Sequence, residues 1–254
     1  MVSSFFEECD PELAKNAMPS NLKLMEGLLK NDSENAQILT MLAMGFNGYS
    51  LLFVEDDDPQ RASNLYLRAR EYGIRALGSK ARFLNNPDLI EKDLKVSLDI
   101  FDKKDVEPLF WVVFAWNAWI NLNLDNPSAL AQLTPSQACL EKVLELDATY
   151  FHGLPSILMG VSLSARPAMF GGNLEKAQDY FEKALQQSQG KFFAASYYYA
   201  RYYGVRAQDK KLFLKLLQQV IEGTPADLPD SCLMNTVMRS KAQKFIENTD
   251  EFFF

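Results

Sequence analysis

The spacing of apolar residues is most regular between Phe151 and Gln187. There it predicts two helices joined by a Gly/Pro turn. The first carries Ile157, Gly160 and Leu163 on one face. The second carries Leu174, Ala177, Phe181, Ala184 and Leu185, with Glu175, Lys176, Asp179, Glu182 and Lys183 elsewhere on its circumference. Intervals of three and four hold residues on one stripe of an α-helix. A helix pair with such a stripe cannot stand alone in water, so other pairs are expected to stack on it.

The same reading extends along the chain. Pro11 to Lys30 predicts a helix through Leu13, Ala17, Leu24, Leu28 and Leu29, with Pro19 expected to interrupt it. Asn31-Asp32-Ser33 reads as a break with a capping signal. Glu34 to Val54 is a helix nearly apolar in its middle. The acidic run Glu55 to Asp58, ending at Pro59, stops it and starts the next, Gln60 to Leu77. Gly78 to Lys104 reads as an insertion, with a short helix begun by Asn86-Pro87-Asp88. Val106 to Leu124 is the most apolar helix, followed by a short one over Ser128 to Leu133. Thr134-Pro135-Ser136-Gln137 is expected to cap a helix running through Leu146. A tyrosine-rich helix over Phe192 to Arg206, a partner over Asp209 to Ile221 and a last helix over Asp230 to Asn248 complete the series. Phe252 to Phe254 read as a tail, either frayed or docked. No stretch alternates apolar and polar residues between turn dipeptides. The prediction is all-α.

Two of these pairs share a pattern. Gly45 precedes Ala62 by the interval that separates Gly160 from Ala177, and Ala62-Tyr66-Ala69 matches Ala177-Phe181-Ala184 in spacing. Small residues let two antiparallel helices approach closely, and the ring fills the gap beyond them. This small–small–aromatic–small order resembles a tetratricopeptide repeat (TPR). The fold expected is a TPR-like α-solenoid of about four helix pairs with flanking and capping helices, as a single domain over residues 1–254.

A net charge of −7, with no Lys/Arg stripe against it, argues against binding nucleic acid or anionic membranes. Cys9, Cys139 and Cys232 are odd in number, far apart and without a CxxC pair. Neither a zinc site nor a disulfide framework is expected from them; buried single thiols are. No apolar run reaches the length of a membrane span. The segment MVSSFFEECD has neither the basic region nor the apolar run of a signal peptide. Cys9 follows Phe-Glu-Glu and so is not an acylation site as written, although a trimmed form of an exported chain fits equally well.

Signals for chemistry are sparse. His152 is the single histidine, lies in no G-x-S-x-G motif, and reads as a helix start beside Gly153. Phosphate-loop and dinucleotide-binding motifs are absent. Gly171-Gly172 reads as a turn, and Asp56 to Asp58 as solvated carboxylates rather than a cation loop. Catalysis, a cofactor and a metal are therefore not expected. Gly45-Phe46-Asn47-Gly48-Tyr49 and Ala115-Trp116-Asn117-Ala118-Trp119 repeat one chemistry: small, aromatic, Asn, small, aromatic. One reading makes these residues core, with each Asn bonding the adjacent inter-repeat turn. The other makes them the wall of a cavity or channel for an apolar ligand. The candidate binding residues are Phe46, Asn47, Tyr49, Trp116, Asn117, Trp119 and Arg201. Of Arg166, Arg201 and Arg206, at least two are expected instead to pair with Asp or Glu between repeats.

Four segments carry a wider resemblance: VEDDDPQRASNLYLRAREYGIRAL, LFWVVFAWNAWINLNLDNP, FHGLPSILMG with RPAMFGGNLEKAQDYFEKAL, and YYYARYYGVRAQDKKLFLKLL. Over about Ala36 to Gly223 the chain resembles the TatT-like T component of tripartite ATP-independent periplasmic (TRAP) transporters. The resemblance implies a periplasmic lipoprotein of degenerate TPR repeats. It implies binding to the solute-binding P component, trimeric assembly, a hydrophobic ligand and no catalysis. The chain departs from the family in lacking the export signal and acylated Cys. The rival expectation is a cytoplasmic TPR adaptor for a peptide or protein; the apolar and aromatic inner positions, in place of a Lys/Asn carboxylate clamp, count against it.

Overall fold

The computed structural model describes residues 3–85 and 91–253. Among the described residues the chain is helical and contains no strand. It divides into two compact units, one of Lys15–Ala148 and one of Met1–Ala14 with Thr149–Phe254.

The Lys15–Ala148 unit takes most of α1 (Pro11–Leu29). Pro19 lies inside this helix and does not interrupt it. Ala14, Met18, Leu22 and Leu29 are buried along one face of α1, and that packing holds the helix through the proline. Next comes α2 (Ala36–Phe53), capped by Asn35 rather than by the Asn31–Ser33 break: the Asn35 side chain accepts from the Ile38 amide at 3.0 Å. Asp58 caps α3 (Pro59–Ala76) by accepting from the Arg61 amide at 3.0 Å, with Pro59 in the first turn. Helix α3 packs on α2 and on α4 (Val106–Asn121), and α4 packs on α5 (Leu133–Asp147). The expected cap at Thr134 does not form. Helix α5 starts at Leu133, and its N-cap Gln132 makes no side-chain cap; its amide oxygen accepts from the Trp116 indole instead. Short helices over Gly78–Asn85, Glu91–Leu98 and Pro127–Leu130 fill the connections. The predicted start at Asn86-Pro87-Asp88 lies outside the described residues.

Contrary to the sequence expectation, one helix among the described residues, α2, is long and apolar enough to cross a membrane. It is 67% buried inside the protein, and Leu39, Leu42, Ala43 and Phe46 are among its core residues. Its apolar length is therefore satisfied by packing against other helices.

The second unit holds α6 (Tyr150–Ala165), α7 (Leu174–Ser188), α8 (Phe193–Tyr198), α9 (Lys210–Glu222) and α10 (Cys232–Glu247). Helix α8 continues as a π-helical stretch over Tyr199–Gly204. The start of α6 is unusual: Phe151, His152 and Gly153 have φ of 45°, 58° and 84°. Right-handed geometry resumes after them, with Pro155 in the first regular turn. Cys9 and Cys232 form a disulfide, which overturns the expectation of single thiols at these positions. The bond ties the N-terminal segment to α10 across 223 residues of sequence. Cys139 is the buried free thiol that was expected. Phe252 and Phe253 of the tail are docked, both on Phe213, and Phe252 stacks on Phe245 at 4.5 Å; Phe254 lies outside the described residues.

Candidate functional site

The first aromatic–Asn segment sits on α2. Phe46, Asn47 and Tyr49 are buried, Asn47 completely. The Asn47 amide donates to the Ala43 carbonyl of its own helix and to the Trp111 carbonyl of α4, both at 3.0 Å. These partners lie in helices and not, as one reading expected, in an inter-repeat turn. The Asn47 carbonyl oxygen has no hydrogen-bond partner, which is uncommon at full burial. Phe46 stacks on Tyr72 of α3 with centroids 5.8 Å apart, and the Arg68 guanidinium lies 4.7 Å from the Phe46 centroid. Tyr49 packs against Phe53, with Arg61 over its ring at 5.9 Å.

The second segment sits on α4. Trp116 and Asn117 are buried, and Trp119 is half-buried. Trp116 donates its indole N–H to Gln132 at 2.7 Å and stacks beneath the Arg70 guanidinium at 4.4 Å. Asn117 donates to the Val113 carbonyl at 2.9 Å. Arg70 donates to the Leu84 carbonyl, and its Nε is buried without a partner. Burial lowers the Arg70 pKa to about 10, and burial pushes the Cys139 thiol up to about 12, leaving it protonated and unreactive at neutral pH. Arg201 belongs to the other unit, in the π-helical stretch. It donates to the Tyr197 hydroxyl at 3.1 Å and lies over the Tyr202 and Phe245 rings.

None of the seven residues lines the cleft of about 480 Å³ between α1 and α3. Phe46 borders it indirectly, through its stacking partner Tyr72, which does line it. Glu26 organises this cleft. Its carboxylate takes the Lys23 ammonium, the Arg68 guanidinium and, at 2.7 Å, the Tyr72 hydroxyl. Burial would raise its pKa, but the hydrogen bonds from Lys23 and Tyr72 and the charge of Arg68 outweigh it and hold the carboxyl below its usual range. Sequence reasoning missed the cleft. Its one signal is that Lys23 and Lys30, and likewise Arg68 and Arg75, are seven residues apart, so each pair shares a helix face.

The other candidates for chemistry have local structural roles. His152 Nε2 lies 3.1 Å from each carboxylate oxygen of Asp230. The Gly171-Gly172 turn has structural reasons: Gly171 has φ of 86°, and a Cβ on Gly172 would sit 1.9 Å from the Arg166 carbonyl oxygen. Asp58 is used as a helix cap. Among the described residues no group of three or more His, Cys, Asp or Glu is placed to hold a metal ion.

Among the described residues the protein is all-helical, with two hairpins that bury the same Ala–ring–Ala triple and a cation-lined cleft beside one of them. Comparison with known proteins gives the family. The chain matches the TRAP transporter T-component family over residues 7–253 and belongs to that family. This is a family of transporter components and not of known enzymes, its role lies in TRAP transport, and membership implies association with other TRAP components. The chain is also 23% identical to an uncharacterized protein of Treponema pallidum (strain Nichols), in an alignment spanning 98% of this chain and 82% of that relative.

Proposed function

We propose that this protein is a non-catalytic, periplasmic, TPR-like scaffold that binds the solute-binding P component of a TRAP transporter and assists uptake of a hydrophobic ligand. The observation that carries the reading is the family match over nearly the whole chain. The Cys9–Cys232 disulfide supports the periplasmic part, because disulfides persist in oxidising compartments and are rare in the cytoplasm. It also weighs against the rival, a cytoplasmic adaptor for a peptide. The proposal treats residues 1–254 as one α-solenoid domain, assembled as a homo-oligomer, a trimer by the family likeness, and lipid-anchored in its exported form.

The binding residues proposed are Phe46, Asn47, Tyr49, Trp116, Asn117, Trp119 and Arg201. For Asn47 the support is its unpaired carbonyl oxygen. For Trp119 and Arg201 it is partial exposure of side chains rich in binding surface. The test is retention of the P component from periplasmic extract on the immobilised chain. Enrichment over an unrelated helical protein, reduced by Trp119→Ala or Arg201→Ala, is expected. Recovery of peptide-bearing cytoplasmic proteins with no P component would overturn the reading.

A further inference from the structure

The cleft between α1 and α3 has chemistry that the scaffold reading does not use. Four cations, Lys23, Lys30, Arg68 and Arg75, line it against one carboxylate, Glu26. This surplus of positive charge stands on a chain of net charge −7. The cations do not share Glu26 equally. Lys23 and Arg68 are paired with it at one end of the cleft. At the other end, Arg75 donates to the neutral Ser33 carbonyl at 2.7 Å and lies 5.8 Å from the Tyr72 centroid. Among the described residues neither Arg75 nor Lys30 has a carboxylate partner. A guanidinium has five donors, so Arg75 retains most of its fork.

Gly27, exposed on the same wall, keeps the cleft open. It lies inside α1 and lines the cleft, and a Cβ there would meet nothing within 4 Å. Glycine inside a helix costs about 1 kcal/mol relative to alanine. No packing neighbour requires that cost here. What the missing side chain leaves is open space between Glu26 and Lys30. The volume, about 480 Å³, falls in the range of small-molecule sites.

We propose that this cleft binds a small, diffusible, multiply charged oxyanion, of the phosphate or polycarboxylate type, between Lys30 and Arg75. Arg75 supplies a planar fork for two oxygens and Lys30 a mobile point charge. Tyr72, fixed by its bond to Glu26 and its stack on Phe46, forms the wall beside them. Glu26 neutralises the far end and repels a second anion. The inference does not rest on binding of the P component, and either can fail alone.

The test is isothermal titration of the purified full chain with inorganic phosphate and, separately, citrate at low ionic strength. Saturable 1:1 binding of at least one is expected. Lys30→Gln with Arg75→Gln should weaken it by about 10-fold or more, the scale of one lost charge-assisted contact. Gly27→Phe should block it. Glu26→Gln should tighten it, an outcome that a merely structural role for these residues would not produce. Lys215→Gln, on another surface, should leave it unchanged. Thermal melts of each variant identify any that fail to fold, and the remaining variants then carry the test. No saturable binding of either anion, equal affinity in the folded double variant, or equal weakening by Lys215→Gln would overturn the proposal.

Discussion

The hairpins α2/α3 and α6/α7 carry the same sequence spacing and pack their glycines differently. In α6/α7, a Cβ on Gly160 would meet three ring atoms of Phe181 at 2.9 Å. The glycine makes room for the ring of its own hairpin partner. In α2/α3, a Cβ on Gly45 would meet Leu22 of α1 at 2.7 Å, and no atom of α3 lies within 4 Å. The glycine there makes room for a third helix. The second helices behave alike, with Ala62, Tyr66 and Ala69 fully buried in one and Ala177, Phe181 and Ala184 in the other. The connections differ as well. Residues 54–58 join α2 to α3, and the longer 166–173 joins α6 to α7. The equal interval hides this, because α2 runs further past its glycine than α6 does. Spacing therefore specifies the face of the second helix, while the use of the small residue depends on which neighbour reaches it.

The largest test of this comparison is Phe181→Ala. It should cost about 3–5 kcal/mol in chemical denaturation, because the ring is fully buried against Gly160 and stacked on Tyr199. A loss below about 1 kcal/mol would show that the ring does not set the hairpin. Replacing Cys9 and Cys232 by serine should destabilise the α6/α7 unit by about 2–5 kcal/mol. Hydrogen exchange should report that loss in α6 to α10 and leave α2 and α3 protected. A uniform loss across both units would break the distinction drawn here.

Next in size is the pair of glycine substitutions. Gly160→Ala should cost about 1–3 kcal/mol, since a ring packed on all sides cannot move aside. Gly45→Ala should change stability by less than about 1 kcal/mol, because the Leu22 methyl can rotate away and alanine favours the helix by about 1 kcal/mol. Equal costs would mean that the two glycines do the same work. The smallest effect is electrostatic and belongs to the α1/α3 side alone. The Glu26 pKa is lowered in the folded chain, so its stabilisation is present above its usual value of 4.5 and fades as pH falls through the folded value. Acid titration of stability should show this limb in the parent chain, and Glu26→Gln should remove it.

Much of the fold was legible because it rests on local spacing. The all-helical class, the Ala–ring–Ala triples and the Asp58-Pro59 restart all follow from intervals of a few residues. What escaped depends on pairing between distant segments. No spacing rule joins Cys9 to Cys232. Pro19 read as a break because the packing that carries α1 through it lies on other helices. The aromatic–Asn segments stand out in sequence by their repeated chemistry, but that chemistry did not show that Asn47 bonds a carbonyl of α4 rather than a turn. The cleft was hidden because its cations read, one helix at a time, as ordinary solvated faces.

The central functional claim is physical association with the P component. The direct measurement is sedimentation velocity of this chain mixed with the purified solute-binding protein of its own transporter, with and without solute. The account predicts a faster boundary that contains both proteins. Two independent boundaries at every mixing ratio would contradict it.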